Sequence, residues 1–459
     1  MVVDSGRHGP SRVPVEAFPR AFRWFASLLP DEVSRRRLTS GAGWTFLGRF
    51  AANGFGLVTG IVLARLLGAS GFGQLGLVQS FVAAVGVFAG LGLGLTATRA
   101  VAELRASAPE RAAAVAAMCG RTALVSGLVV SVAALLVARL VAVGYLGSEQ
   151  LTVPMVLSAP LPLLGAVNGV QVGLLGGLEA FAALATGAVT VAVTTLVFCG
   201  IGAYIAGVPG AVVGYVGAAV VSVALHQVLV VRARHDAGLD LAVGQMPVEW
   251  RWIFGFSVPV LLSSSVVAPV MWLGNSMLVR QTGGFSELGL FTAAGQWRTA
   301  LLLFPNAVAG VALPVLANLV GGRRADEYRK VFRTTMLVSV AGTAVAAAVL
   351  IGAGSIVGAF YGSGFAALAP VLTFIAVAGV LTAGNDIIGH MVATKGSMWW
   401  AFLFNALWGA AFLVFAWMLV PRAGARGLAA ALALAYVAHT LWQGTYALRI
   451  DRPGKRPPV

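Results

Sequence analysis

Charge is what this 459-residue sequence has least of. Asp, Glu, Lys and Arg together make up 10% of it, against about 25% in a soluble domain. A water-soluble fold of this length needs a charged skin, so soluble enzymes and disordered proteins are excluded together. Cysteine is nearly absent. Cys119 and Cys199 lie in apolar stretches without a CxxC partner, so neither a disulfide framework nor a metal site follows and both read as packed thiols. No GxxxxGK[ST], HExxH or GxSxG occurs, which argues against nucleotide hydrolysis, zinc hydrolysis and a serine nucleophile. No ring of filter residues suggests a channel. A membrane-embedded glycosyltransferase or ligase would need catalytic carboxylates on a large external loop, and that is missing too. The chain reads as no enzyme, and no cofactor is expected.

What is there is hydrocarbon. Hydrophobic residues make up 59% of the chain and mean hydropathy is +0.89, the composition of a polytopic membrane protein. Twelve stretches of bilayer length are readable: 43–66, 70–98, 115–138, 152–175, 181–205, 209–231, 252–279, 286–316, 334–353, 366–392, 398–420 and 425–447. The expected fold is all-α, about twelve transmembrane helices in two six-helix bundles around a central cavity. The expected parts are an N-terminal arm (1–40), a first bundle (41–232), a linker (233–250), a second bundle (251–448) and a basic tail (449–459).

The net charge of +15 could suggest nucleic acid, but its placement reads as topology. With the N-terminus inside, and with Arg65, Arg121 and Arg426 near span ends counted with the adjoining loops, 24 of the 31 basic residues fall on cytoplasmic segments, five outside and two, Arg49 and Arg298, within spans. That bias predicts both termini in the cytoplasm of a multi-pass protein. Arginines and prolines spread through the first 40 residues are unlike a signal peptide. Residues 15–29, with Phe18, Phe22, Trp24 and Phe25 beside Arg20 and Arg23, read as an amphipathic helix on the membrane surface or a disordered arm.

The two halves resemble each other. LARLLGASGFGQLGL (Leu63–Leu77) parallels LVRQTGGFSELGL (Leu278–Leu290). Arg65 pairs with Arg280, Asn168 with Asn385, and Gly207 and Gly210 with Gly424 and Gly427, all at offsets of 213–217. Six spans per half make the repeat parallel, with its pseudo-two-fold axis along the membrane normal, the layout of an alternating-access transporter. Gly165, Gly169, Gly173 and Gly177 share one helix face, where tight packing is the plain reading and a sliding surface the alternative.

A charge at bilayer depth costs about 2.5–3.5 kcal/mol on insertion scales, so each one needs a reason. Arg49, followed one turn on by Asn53, and Arg298, beside Gln296, stand inside spans with no acid nearby in the same span. These four are the candidate substrate-binding residues, since the planar guanidinium suits a phosphate. Snorkelling is the plain alternative for Arg49, pairing with another span for Arg298. Asp386 and His390, one turn apart, are candidates for ion coupling, or else a local pair or a partner for an intramembrane arginine. No metal site is expected.

The segment Gly41–Glu103 carries a family resemblance. Ala64-Arg65-Leu66-Leu67-Gly68 with Phe72-Gly73 closes the first span, and Gly90-Leu91-Gly92-Leu93-Gly94 followed by Arg99 closes the second. This order resembles the bacterial polysaccharide and oligosaccharide flippases of the multidrug/oligosaccharidyl-lipid/polysaccharide exporter superfamily. Gly90 stands where that family often has an Asp. Leu288–Phe291 and Phe360–Phe365 also sit where the family places similar residues. The resemblance implies a bacterial inner-membrane flippase of an undecaprenyl-diphosphate-linked oligosaccharide, ion-gradient driven and serving cell-surface polysaccharide biosynthesis. Its expected partners are that lipid-linked glycan, membrane lipids, a polysaccharide polymerase and glycosyltransferases, with no nucleic acid. A drug or cation antiporter of the same fold is the alternative.

Overall fold

The computed structural model describes residues 32–237, 265–321, 325–394 and 398–450, and every regular element among them is helical. The first half contains α1 (Glu32–Gly90), α2 (Leu93–Leu104), α3 (Pro109–Arg139), α4 (Thr152–Ser158), α5 (Leu161–Gly177) and α6 (Phe181–Asp236). The second contains α7 (Val267–Val279), α8 (Gly284–Leu301), α9 (Leu303–Gly321), α10 (Ala325–Gly352), α11 (Gly354–Tyr361), α12 (Leu368–Thr394) and α13 (Met398–Ile450). The proposed surface helix at 15–29, most of the linker, the start of the seventh expected span and the tail from Asp451 lie outside the described residues. Seven of the described helices are long and apolar enough to cross a membrane.

Three of them are too long to cross it once. At ~1.5 Å per residue, the 59 residues of α1, 56 of α6 and 53 of α13 far exceed a hydrocarbon core of about 30 Å. Each breaks at a glycine with positive φ: Gly68 (φ 68°), Gly207 (φ 61°) and Gly424 (φ 53°). Side chains with a Cβ avoid that conformation, so glycine sets the fold-back points. In α6, Gly202 and Gly210 press backbone to backbone, and Gly214 lies against Phe198 and Cys199, so the two arms are antiparallel partners. In α13, Gly427 lies against the Leu419 carbonyl in the same way. Gly60 and Gly76, equally far either side of Gly68, meet Gln296 and Thr292, one turn apart on α8. The arms of α1 therefore also run side by side.

The repeat is visible in backbone detail. Gly207 and Gly424 share nearly the same conformation (ψ −136° and −131°). Gly202 facing Gly210 corresponds, at the same offset of 217, to Leu419 facing Gly427. Gly68 and Gly283 are both left-handed at the matching turns.

Two expected spans are interrupted. The second breaks inside the GLGLG motif, where Leu91 (φ 47°) and Gly92 (φ 69°) separate α1 from α2. The eighth breaks at Leu302, between α8 and α9. Pro305 explains that break: it lacks the N–H that would bond to the Leu301 carbonyl, and its ring crowds that carbonyl.

The apolar core is divided unequally. One large cluster draws on both halves, from Leu63–Phe81, Ala134–Met155 and Cys199–Val212 on one side to Leu278–Leu301, Ala347–Ala378 and Trp408–Ala435 on the other. Most of these lie toward the end bearing Gly68, Gly207, Gly283 and Gly424, here called the turn end, with Leu301 and Trp408 reaching past the middle of their helical segments. Toward the opposite end, which bears the two chain ends, the core splits in two. One cluster (Ala89–Val170) belongs to the first half, and the other (Ala312–Met391 with Ala447) to the second. The halves thus share a core at the turn end and pack separately at the other. On the outside, α3 exposes Leu124, Val125, Leu128, Val129, Val132, Leu135 and Leu136, a face suited to lipid tails.

Candidate functional site

The shared end is held by close backbone approach. A side chain on Gly73 would run into the Phe285 carbonyl, one on Gly289 into the Ala69 carbonyl, and one on Gly76 into Thr292. Small residues let α1 and α8 touch here. Phe72 packs on Tyr361 and Phe365, with centroids 6.4 and 6.1 Å away. Gln296 lies across Gly60 and accepts a 3.0 Å hydrogen bond from the Tyr361 hydroxyl. At the rim the two repeat-related arginines reach into opposite halves. Arg65 Nε donates to the Phe360 carbonyl at 2.7 Å, and the Arg280 guanidinium lies 5.4 Å from the centroid of the Tyr145 ring.

Away from this seam stands Arg298, half-buried in the last turn of α8, where the carbonyl end of the helix favours a cation. Its Nη1 is 3.5 Å from the Tyr436 hydroxyl on α13, and its stem lies against Gly379 on α12. Asp386, exposed on α12, is within electrostatic reach of the guanidinium. Arg298 and Asp386, residues from different expected roles, thus lie within electrostatic reach of each other. The side chain of His390 lies outside those described. Arg49 is exposed on α1, and the Asn53 amide is spent on the Arg49 carbonyl at 2.8 Å. No hydrogen bond or ion pair joins these two to the Arg298 group among the described residues. Gln296 belongs to the seam, bonded to Tyr361.

Sequence reading missed a pocket in the first half. A cavity of about 350 Å³ lies between the second arm of α1 (Leu75, Val78, Gln79, Val82, Ala83), α5 (Leu161, Leu164, Gly165, Asn168) and the second arm of α6 (Val212, Tyr215, Ala219, Ser222). Its polar residues are Gln79, Asn168, Tyr215 and Ser222, and Ser222 donates to Asn168 at 3.0 Å. The only signal in the sequence was the pairing of Asn168 with Asn385. The glycine stripe on α5 divides in function. Gly173 and Gly177 press on the backbone at Gly94 and Thr98, whereas Gly165 meets nothing within 4 Å of an added Cβ and lines the pocket.

Comparison with known proteins places this architecture. The family described as "Polysaccharide biosynthesis protein" matches residues 38–320. The EPS I polysaccharide export inner membrane protein EpsE of Ralstonia nicotianae is 29% identical over 205 residues, 44% of this chain and 47% of that protein. Its counterpart in Ralstonia solanacearum is 28% identical over 197 residues, 42% and 45% respectively. The matched region thus spans about half the length of these relatives. Among solved structures, the inward-facing conformation of a multidrug resistance MATE family transporter of the MOP superfamily superposes with a TM-score of 0.70 at 17% identity, covering 90% of this chain and 96% of that one. A MOP superfamily transporter from Pyrococcus furiosus gives 0.66 at 17% identity, covering 93% and 98%. These structures share the fold. The chain belongs to the polysaccharide biosynthesis protein family and is an all-α integral membrane protein built on the fold of the MOP superfamily transporters.

Proposed function

We propose that this protein is a flippase that moves an undecaprenyl-diphosphate-linked oligosaccharide from the cytoplasmic to the outer leaflet by alternating access, driven by an ion gradient. The observation that carries the reading is the divided core: two repeat-related halves that share one apolar cluster at the turn end and build separate ones at the other among the described residues, with a guanidinium, Arg298, on the wall of the second half. With both termini in the cytoplasm, the joined end faces outward and the halves part toward the cytoplasm, where a lipid-linked glycan is made. The diphosphate is the anion that suits Arg298. Asp386 then has a role: it balances the guanidinium while the site is empty and yields it when the anion arrives. Arg49, near the cytoplasmic end of α1, is the candidate for first capture of the headgroup, with Asp386 and His390 the candidates for coupling. Glycosyltransferases would supply the substrate and a polymerase would take the product.

The test is Arg298→Ala, read as lipid-linked oligosaccharide retained on the cytoplasmic leaflet. Export should be lost while the protein still inserts and purifies as a folded species, and wild-type export would remove Arg298 from the site. A second reading, a drug or cation antiporter, is favoured by one observation, the exposed carboxylate of Asp386. It predicts that Asp386→Asn abolishes transport of an organic cation and that Arg298→Ala spares it.

A further inference from the structure

The two halves repeat each other, so the pocket of the first half can be compared position by position with the second. At the offsets fixed by Leu75-Gly76-Leu77 and by Gly207, the pocket residues Val78, Ala83, Gly165, Ala219 and Ser222 correspond to Phe291, Gln296, Thr382, Tyr436 and His439. These five replacements in the second half are larger, whereas Leu75, Leu164 and Asn168 are matched by identical residues and Gln79, Val82, Leu161, Val212 and Tyr215 by smaller ones. Tyr436 is packed on Trp408, with centroids 5.4 Å apart, and bears the Arg298 contact on its hydroxyl. Ala219 therefore marks the place where the first half leaves space that the second gives to a packed aromatic ring.

Its position and its lining identify an occupant. Gln79 and Ala83 continue the α1 face of Gly76, which meets α8 at the seam. That side of the pocket therefore faces the second half. Nine of the thirteen lining residues are Leu, Val, Ala or Gly. The four polar residues, Gln79, Asn168, Tyr215 and Ser222, are the minority of the lining, and Ser222 is spent on Asn168, so the walls suit a hydrocarbon more than a sugar. At about 30 Å³ per heavy atom, 350 Å³ holds at least a ten-carbon segment, roughly two isoprene units.

We infer that this pocket receives the first isoprenoid units of the lipid carrier, holding them on the first half while the diphosphate is held at Arg298 on the second. The inference rests on the proposed flippase reading for the identity of the lipid. A ligand anchored on both walls draws the halves together over it, which couples occupancy to closure.

The experiment uses the purified full-length protein and two photoreactive probes, diazirine-tagged geranyl diphosphate and diazirine-tagged geraniol, with glucose as a competitor. Both probes should label peptides from 75–83, 161–168 and 212–222. Gly165→Leu, which fills the pocket where an added Cβ meets nothing, should cut labelling at least tenfold. Ala219→Tyr, which copies the second half, should do the same and serves if the first variant fails to fold. Arg298→Ala should weaken geranyl diphosphate labelling and leave geraniol labelling unchanged. Labelling elsewhere, wild-type labelling in both filled variants, or displacement by glucose but not by geraniol would overturn the inference. Pocket labelling by geraniol in a protein that exports no lipid-linked glycan would uphold the pocket and reject the flippase reading alone.

Discussion

The two ends of the molecule are built from the same helices but by different rules. At the turn end, helices from opposite halves touch through glycines, and the side chains around them form one apolar cluster. At the other end, each half closes its own small cluster and neither borrows from its neighbour. An interface that must open has to be separable without exposing a core, and only the second end already meets that condition. The turn end pays instead with a seam whose parts are few and locally bonded: Gly73, Gly76 and Gly289, Gln296 with Tyr361, and the two rim arginines. Alternating access requires that seam to break, so it should yield to small changes by graded amounts.

The largest effect should come from Gly73→Val. Its Cβ would overlap the Phe285 carbonyl, which is backbone and cannot swing aside. Overpacking of this kind costs about 1–3 kcal/mol, enough to lower the closed population roughly tenfold or more. The check is alkylation, by an impermeant thiol reagent, of a cysteine placed beside the seam, which should become fast. Gly56→Ala, which meets nothing within 4 Å, should leave alkylation slow and the protein as stable or slightly more so. Equal alkylation in the two variants would show that the seam is not held by close approach.

Removing the bond between Gln296 and Tyr361 should have a smaller effect in the same direction. Tyr361→Phe deletes a hydroxyl that sits 3.0 Å from the amide, worth about 0.5–1.5 kcal/mol. The expected result is several-fold faster alkylation with export retained. If Gln296 instead binds substrate, Gln296→Ala should raise the concentration of lipid-linked glycan needed for export while Tyr361→Phe leaves it unchanged.

Much of this was legible in the sequence, because glycine and proline write backbone geometry directly. The ARLLG and Phe72-Gly73 motif supplies a fold-back glycine, a rim arginine, a ring of the seam and a close-approach glycine. The GLGLG motif supplies the break before α2 and the contact of Gly94 with Gly169 and Gly173. The offset between Gly207 and Gly424 located two equivalent hairpins. Asp386 was among the expected partners of an intramembrane arginine, but which arginine it faces could not be read, since helices far apart in sequence carry no periodicity in common. The pocket was hidden for a related reason. It is made by side chains that are small, and Ala83 or Ala219 looks like any packed alanine until the larger residue at the matching place in the other half is known.

The smallest effect should separate the two rim arginines, which are equivalent by repeat and unlike by chemistry. Arg65 gives a charge-assisted hydrogen bond to a carbonyl at 2.7 Å, whereas Arg280 only faces a ring. Both are exposed, so each contact is worth at most about 1 kcal/mol. Arg65→Lys removes the planar Nε donor but keeps the charge, and should loosen the seam nearly as much as Arg65→Ala. Arg280→Lys keeps a cation over Tyr145 and should sit closer to wild type than Arg280→Ala does. Because the two contacts share no partner, the double alanine variant should add, within about 0.5 kcal/mol, to the sum of the singles. A coupling clearly beyond that would mean that the rim acts as one cooperative latch, and the contrast between a shared end and a divided end would then rest on fewer, larger switches than the packing indicates.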